Sequence, residues 1–325
     1  MIIGSICMSH SPLMDRNRAE PETERRFHAA VQETARIFNA MRPDLIIAFY
    51  PDHMNGFQYN ILPPFCIGAR ARSLGDYGSV PGELLVDEDA ALSLAASVLE
   101  QGVDVALSFN MLVDHGATQP LELLASESTV RLPPILPVFI NCAAGPRPPF
   151  RRARALGEAV GEWSRARPER ILFMGSGGLS HDPPLPNIAT ASPDAKERMI
   201  AGGATSFADR MVRQRNVFRA GAAFKDGETA LRDLNPEWDR HFMAAMANGD
   251  TAVADDWTDS EVSEAGGGGA NEVRCWLAAM AALSRDGAYR VASEFYEPVP
   301  EWITGMGLMS AWSQAASTER ETSAG

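Results

Sequence analysis

Along roughly the first 190 residues, short apolar runs alternate with longer segments in which apolar residues recur at helical spacing. The apolar runs predict buried strands at 2–7, 45–50, 103–109, 134–141 and 170–175. The segments between them predict helices at 22–41, within 82–102 and at 150–166. Strands that are apolar throughout and are separated by helices indicate an α/β fold, with helices on both faces of a mainly parallel central sheet.

The pattern changes after about residue 190, where helical spacing predominates. Helical segments are predicted at 192–212, 235–249 and 271–284. The glycine-rich stretch 264–271 is expected to be the most flexible part of the chain. Because no Pro/Ser-rich linker divides the sequence, we predict a single domain over residues 1–315 with a helical C-terminal part, and a flexible tail at 316–325.

Composition and charge restrict the binding partners and the cellular compartment expected for this chain. The chain has 29 Lys and Arg against 42 Asp and Glu, a net charge of −13, which argues against nucleic acid as a partner. No apolar run approaches the ~18 residues of a membrane span, and the start MIIGSICMSHSP lacks the basic region of a secretory signal. The four cysteines are far apart, as expected of reduced core thiols. We therefore expect a cytoplasmic protein without a membrane partner.

Four of the six histidines share one kind of position. His28 and His241 lie in helical patterns among charged residues and are expected on helix surfaces. The other four each follow a predicted strand, and these are His10, His53, His115 and His181. Loops after parallel strands open on one edge of a sheet, so these imidazoles are expected to converge on one crevice. A lone loop histidine is more often bonded to a backbone carbonyl, but four in equivalent places indicate metal binding and acid–base chemistry.

A metal that reacts with oxygen is typically held by two histidines and one carboxylate, with positions left open. Glu272 is a candidate carboxylate, because it begins a predicted helix behind a glycine-rich segment that would act as a hinge. The alternative is that Glu272 stabilises the first turn of its helix, with Asn271 as the cap. Position in the sequence leaves both interpretations open.

The segment GSGGLSH (175–181) is rich in glycine but does not match a phosphate-binding loop. It lacks the G-K-[ST] ending, and the G-x-S-x-G pattern of serine hydrolases is also absent from it. A tight turn that presents Ser180 and His181 is the better interpretation.

Eight blocks of sequence, in order, resemble the class III extradiol ring-cleavage dioxygenases, a family that includes the β-subunit of protocatechuate 4,5-dioxygenase. The blocks are MSHSP (8–12), PDHMNGF (51–57), LPPFCIG (62–68), VDHGATQPLE (113–122), LPVFINC (136–142), GSGGLSHDPP (175–184), LNPEWD (234–239) and EVRCW (272–276). The resemblance extends to PEWITGMG (300–307) and implies the fold of that family. It also implies cleavage of a catechol by O₂ beside the diol, with 3-(2,3-dihydroxyphenyl)propionate or 2,3-dihydroxycinnamate as the substrate.

The resemblance implies functional roles for five residues. It implies an Fe(II) cofactor held by His10, His53 and Glu272. It implies acid–base roles for the other two residues, with His181 as the base and His115 as the acid. Members of the family also assemble as homo-oligomers, so the same is expected here.

Three matters remain open at this stage. The partner of the substrate carboxylate is not evident, and Arg70 and Arg72 are candidates. Phe57, Pro63, Pro64 and Phe65 would pack on the aromatic ring or belong to the core. The same His/His/Glu set would also suit a zinc hydrolase, and a non-enzymatic member of the fold that keeps the pocket for binding is a further alternative.

Overall fold

The strands form where apolar residues fill consecutive positions. The computed structural model describes residues 1–14, 16–184, 187–202, 206–314 and 316. The strands are β1 Ile2–Met8, β2 Leu45–Tyr50, β3 Phe65–Gly68, β4 Ala71–Ser73, β5 Gly82–Glu83, β6 Ala106–Ser108, β7 Met111–Val113, β8 Ile135–Ile140, β9 Ile171–Ser176, β10 Tyr289–Val299 and β11 Thr304–Ser313. The predicted tail 316–325 lies outside the described residues except for Ala316.

Helices fill the segments between the strands. They are α1 Pro21–Met41, α2 Glu88–Glu100, α3 His115–Glu127, α4 Phe150–Arg165, α5 Pro193–Ile200, α6 Phe207–Lys225, α7 Pro236–Ala247, α8 Asp259–Gly266 and α9 Val273–Ser284. Two short 3-10 helices, Gly268–Glu272 and Pro300–Trp302, precede α9 and β11. In the described part of the chain, no helix is long and apolar enough to cross a membrane.

The central sheet has the strand order β10-β11-β1-β9-β2-β8-β3-β6. Pairing is parallel from β1 through β9 and β2 to β8, and between β3 and β6. It is antiparallel at β10–β11, β11–β1 and β8–β3. The predicted α/β class with a large central sheet is confirmed. The two antiparallel strands β10 and β11 were not predicted, and they add sheet to the part expected to be helical.

Helices cover both faces of this sheet, as the all-apolar strands require. Along β2, Ile46 and Ala48 belong to one core cluster, whereas Ile47 and Phe49 belong to the other. The first cluster is completed by side chains of α1 and α3, and the second by side chains of α2, α4 and α9. The alternation follows from the two-residue repeat of a strand. All four cysteines are free and buried, as predicted.

Helix α9 occupies a special place because it is buried from Val273 to Leu283. It packs between the sheet and α4, where a Cβ at Gly157 would lie 2.2 Å from the carbonyl oxygen of Ala278. This close helix packing requires glycine on α4. It also fixes the start of α9 at the carboxyl edge of the sheet, where Glu272 Oε2 accepts a hydrogen bond from the backbone N–H of Gly178.

Candidate active site

Three of the four loop histidines are brought together by adjacent parallel strands. His10 follows β1, His53 follows β2 and His181 follows β9, and β9 lies between the other two strands. All three strands point the same way, so their carboxyl ends share one edge of the sheet. The predicted convergence therefore holds for these three residues. His28 and His241 lie exposed on α1 and α7, also as predicted.

His115 reaches the same place by another route. The predicted strand 103–109 is reduced to the edge strand β6, and the chain continues into β7 of a separate three-stranded sheet, β5-β4-β7. His115 then begins α3, which Asp114 caps by accepting a hydrogen bond from Gly116 N–H at 2.9 Å. The position of His115 is thus set by a helix start rather than by a strand of the central sheet.

The imidazoles lie within metal-binding distance of one another. One ring nitrogen from each of His10, His53 and His115 lies within 4.8 Å of the other two. The rings of His53 and His115 stack, with centroids 4.3 Å apart and planes 20° apart. His10 meets both rings edge-on, at 5.4 and 5.5 Å. This compact arrangement leaves their nitrogens facing a common space.

Glu272 adds a buried carboxylate to this group. Its Oε1 lies 3.2 Å from His53 Nε2 and 3.4 Å from His181 Nε2, and its side chain is 4% exposed. Glu272 ends the 3-10 helix that precedes α9. Asn271 does not cap that helix: its side chain donates to Ser263 Oγ and accepts from Arg274.

The glycine-rich segment before Glu272 is closely packed, so the expectation of a flexible hinge was wrong. A Cβ at Gly269 would lie 2.2 Å from His181 Nε2, and a Cβ at Gly267 would lie 2.4 Å from the carbonyl oxygen of His181. Gly267 also has a φ of 87°. The glycines are needed because the backbone runs directly against His181.

The protonation states of His10 and Glu272 suit the binding of a cation by these side chains. Burial lowers the pKa of His10 to about 3, so its imidazole is neutral. Burial alone would raise the pKa of Glu272, but His181 and His53 outweigh it and hold that pKa well below its usual range. A neutral imidazole and an ionised carboxylate are the forms that bind metal ions. The residues present therefore fit a divalent metal.

His53 and His181 have raised pKa values in the same site. For both, burial opposes the shift and is outweighed, by Asp114 and Glu272 at His53 and chiefly by Glu272 at His181. The His53 ring lies between the carboxylates of Asp114 and Glu272, and a proton on its Nε2 faces Glu272, where a metal ion would bind instead. His181 is fixed through Nδ1, which donates to the carbonyl oxygen of Leu179 at 2.8 Å.

Two aspartates accept hydrogen bonds from different parts of the loop that carries His53. Asp114 Oδ2 accepts hydrogen bonds from the backbone N–H of His53 at 2.8 Å and from its Nδ1 at 3.1 Å. Asp52 instead accepts from the backbone N–H groups of Asn55 and Gly56, both at 2.8 Å. Asp114 therefore orients the imidazole, and Asp52 shapes the turn behind it. The sequence pattern did not single out Asp114.

Asp76 supports His115 in the same way and was also missed. Its Oδ1 accepts from the His115 backbone N–H at 2.8 Å, and its Oδ2 lies 2.6 Å from His115 Nδ1. Both aspartates sit beside turns or helix starts, where aspartate is common for local reasons, and that is why position did not reveal them.

A cavity of about 240 Å³ opens onto the histidines. That volume exceeds the ~150 Å³ that holds one benzene ring. Its lining includes all four loop histidines, Tyr77, Trp302 and a group of residues from α6, of which Arg210, Arg213, Gln214 and Asn216 are polar. An aromatic ring with a short side chain fits such a space.

The other residues proposed from the sequence for substrate contact lie elsewhere. Arg70 is exposed and paired with Glu88, and neither it nor Arg72 lines the cavity. Phe57 stacks on Phe139 with ring centroids 3.8 Å apart, and Phe65 is buried in the core. Both phenylalanines therefore belong to the packing of the protein.

The fold and the position of the crevice indicate the class of protein. In α/β proteins, small molecules bind at the carboxyl ends of parallel strands, and ionisable side chains gathered there are typical of an enzyme. Residues 4–307 match the family model described as the catalytic LigB subunit of aromatic ring-opening dioxygenase, and the chain belongs to this family. The predicted family and enzyme class are confirmed, and the match favours the dioxygenase over the hydrolase and binding-protein alternatives.

Three relatives described as 2,3-dihydroxyphenylpropionate/2,3-dihydroxicinnamic acid 1,2-dioxygenase illustrate the similarity. The protein from a Rhodococcus species is 48% identical over 96% of this chain and 98% of its own length. The Paraburkholderia xenovorans protein is 45% identical over 94% and 96%. The Mycolicibacterium smegmatis protein is 42% identical over 96% and 99%. The similarity covers nearly the full length of both partners in each case.

Proposed function

We propose that this protein cleaves the ring of an acidic catechol beside the diol, using O₂ and Fe(II). The substrate class is 3-(2,3-dihydroxyphenyl)propionate or 2,3-dihydroxycinnamate. Relatives described by activity on these compounds are 42% to 48% identical over almost the whole chain, which supports the assignment. The observation that carries the proposal is the buried group of His10, His53 and Glu272 beside a cavity large enough for the aromatic ring.

His10, His53 and Glu272 are the proposed iron ligands. They supply two imidazoles and one carboxylate, the set that leaves open positions for substrate and oxygen. Bound Fe(II) would supply the electronic coupling between the electron-rich catecholate and O₂, whose direct reaction is spin-forbidden. The Nδ1 of His53 is held by Asp114, so its Nε2 is the nitrogen presented to the metal.

His181 and His115 are the proposed proton carriers. The Nδ1 of His181 donates to a carbonyl oxygen, so Nε2 is the atom that takes up a proton. Glu272 raises the pKa of His181, which favours proton uptake from a catechol hydroxyl. The Nδ1 of His115 lies 2.6 Å from Asp76 Oδ2, a contact that fixes the orientation of the imidazole proposed as the acid. Each residue acts at a wall of the same cavity.

Oxygen uptake tests the proposed function directly. Anaerobically purified, Fe(II)-loaded protein given 3-(2,3-dihydroxyphenyl)propionate is expected to consume O₂ and form a yellow ring-opened product. A chelator should abolish the reaction and added Fe(II) should restore it. Uptake with catechol or protocatechuate alone would keep the reaction and reject the substrate. Iron-loaded protein that consumes no O₂ with any catechol would contradict the proposal.

Asp114→Asn is expected to weaken Fe(II) binding by about 10- to 100-fold, the usual effect of losing a carboxylate that orients a ligating histidine. The amide presents a weaker acceptor to His53 and disturbs the ring orientation. Iron affinity is measured by competition with a chelator under anaerobic conditions. Asp52→Asn is the matched control, because Asp52 bonds the turn and not the imidazole. Equal losses in both variants would show that Asp114 acts only through the loop.

The oligomeric state and the compartment remain predictions. We propose a cytoplasmic homo-oligomer, in keeping with the resemblance described above, and size-exclusion chromatography with light scattering would test the assembly.

A further inference from the structure

Helix α6 contributes a cationic wall to the cavity that the four histidines also line. Arg210 and Arg213 are three residues apart, so they share a face of the helix, and both line the cavity. Both are partly buried, and the neighbouring Gln214 is 9% exposed. The same cavity is therefore lined both by the candidate metal-binding histidines and by guanidinium groups.

Arg213 is held in place by neutral groups. One of its terminal nitrogens, Nη1, donates to the carbonyl oxygen of Met54 at 3.1 Å and to Asn55 Oδ1 at 3.2 Å. Among the residues that the structure describes, no carboxylate is its hydrogen-bond or ion-pair partner. A guanidinium has five N–H donors, so Nη2 and Nε retain donors for a ligand. A fixed, partly buried guanidinium of this kind suits a carboxylate, which it binds through two parallel hydrogen bonds.

A chain of hydrogen bonds fixes the place of Arg213 relative to the histidines. Asn55 accepts from Arg213 through Oδ1 and donates through Nδ2 to Asp114 Oδ2 at 2.9 Å. The same Asp114 oxygen lies 3.1 Å from His53 Nδ1. The guanidinium and the imidazole therefore belong to one hydrogen-bonded unit. A ligand held by both would be fixed at its two ends.

We propose that Arg213 binds the side-chain carboxylate of the catechol and so orients the diol toward His10, His53 and Glu272. This inference rests on the proposed function and identifies the residue that selects acidic catechols. Arg210 adds a second positive charge on the same wall. A carboxylic acid is ionised at neutral pH, so the guanidinium groups match the carboxylate of the substrate and the histidines match its diol. Catechols of the same shape without the charge bind in the same space with lower kcat/KM.

The test compares an acid with its neutral isostere. The substrates are 3-(2,3-dihydroxyphenyl)propionate and the corresponding primary amide, and kcat/KM is measured for both with Fe(II)-loaded protein. Arg213→Met is expected to lower kcat/KM for the acid by about 10- to 100-fold, the range for a hydrogen bond to a charged group. The value for the amide should change by less than about threefold, because neutral contacts remain. Arg213→Lys should retain part of the preference for the acid, since lysine keeps the positive charge but cannot form the two parallel hydrogen bonds of a guanidinium.

Arg215→Met is the matched control, because Arg215 is exposed on the same helix and does not line the cavity. It should leave both substrates unaffected. Binding of 3-phenylpropionate to metal-free protein, measured by calorimetry, gives a readout that needs no turnover, and Arg213→Met should weaken it by about tenfold or more.

Two results would overturn the role of Arg213. One is an equal loss of kcat/KM for the acid and the amide, which would assign Arg213 to support of Asn55 and the loop. The other is an unchanged value for the acid. Failure of the proposed function is read separately, from wild-type protein that cleaves neither compound, and it would remove this inference as well.

Discussion

Glu272→Ala is expected to abolish iron binding and ring cleavage together, because it removes the proposed carboxylate ligand. The carboxylate is ionised, buried and in contact with the imidazoles of His53 and His181. Its removal leaves the proposed metal with two neutral ligands and no negative charge. The loss of iron affinity should exceed about 10- to 100-fold, the usual effect of removing a residue that only hydrogen-bonds to a metal ligand. Iron content after anaerobic loading and desalting measures the effect.

The ligand prediction extends to the two histidines. His10→Ala and His53→Ala should also lose iron, since each removes one of three donors. Glu264→Ala is a matched control, because Glu264 is an exposed glutamate in the preceding helix and should leave iron and activity unchanged. Thermal unfolding of each variant separates metal loss from loss of the fold. Full iron content in Glu272→Ala would contradict the assignment of this residue.

His115→Ala and His181→Ala are expected to keep iron and lose turnover by about 10²–10⁴-fold each, the usual contribution of a positioned acid or base. Both imidazoles line the cavity, and each has its Nδ1 fixed by a partner behind it. Without the ring at 115 or 181, the proton must pass to or from water. Single-turnover rates in iron-loaded protein measure the change, and His241→Ala serves as the exposed control.

The same experiment distinguishes the two ways in which a third ligand can be supplied. The ring nitrogens of His10, His53 and His115 lie within 4.8 Å of one another, so His115 is close enough to take part. Iron loss in His115→Ala together with iron retention in Glu272→Ala would exchange their roles. The expected result is that His115→Ala retains iron and Glu272→Ala loses it. Neither outcome depends on the identity of the substrate.

Local pattern was sufficient for much of the fold and for the candidate site. Strands β1, β2, β8 and β9 are apolar runs, so their existence and their burial follow from the local pattern. Histidines placed just after such strands meet at one edge, because parallel strands end there. Eight blocks in order were specific enough to predict the family that the match over 4–307 confirms.

The pattern failed where a residue's role comes from a neighbour far away in the chain. Strand β11 contains Gly305 and Gly307, which weaken a strand signal. A Cβ at Gly305 would lie 2.1 Å from Asp239 Oδ2, and one at Gly307 would lie 2.9 Å from Leu179. Gly305 makes room for the carboxylate of Asp239, which accepts a hydrogen bond from the backbone N–H of Ser180, and Gly307 makes room for Leu179 in the loop that carries His181. Only the packed structure shows that requirement, because it is a contact across the chain.

The sequence by itself determined the α/β class and the family, and it supplied the candidate residues for holding a metal and moving protons. Tertiary structure decided how they are supported and what faces them. Asp114 and Asp76 orient their histidines through hydrogen bonds whose partners are up to 61 residues apart. Arg213 reaches the cavity because α6 packs over it, 158 residues beyond Asn55. Local periodicity reports which face of an element is buried, whereas the opposing side of a cavity depends on long-range packing that no short segment encodes.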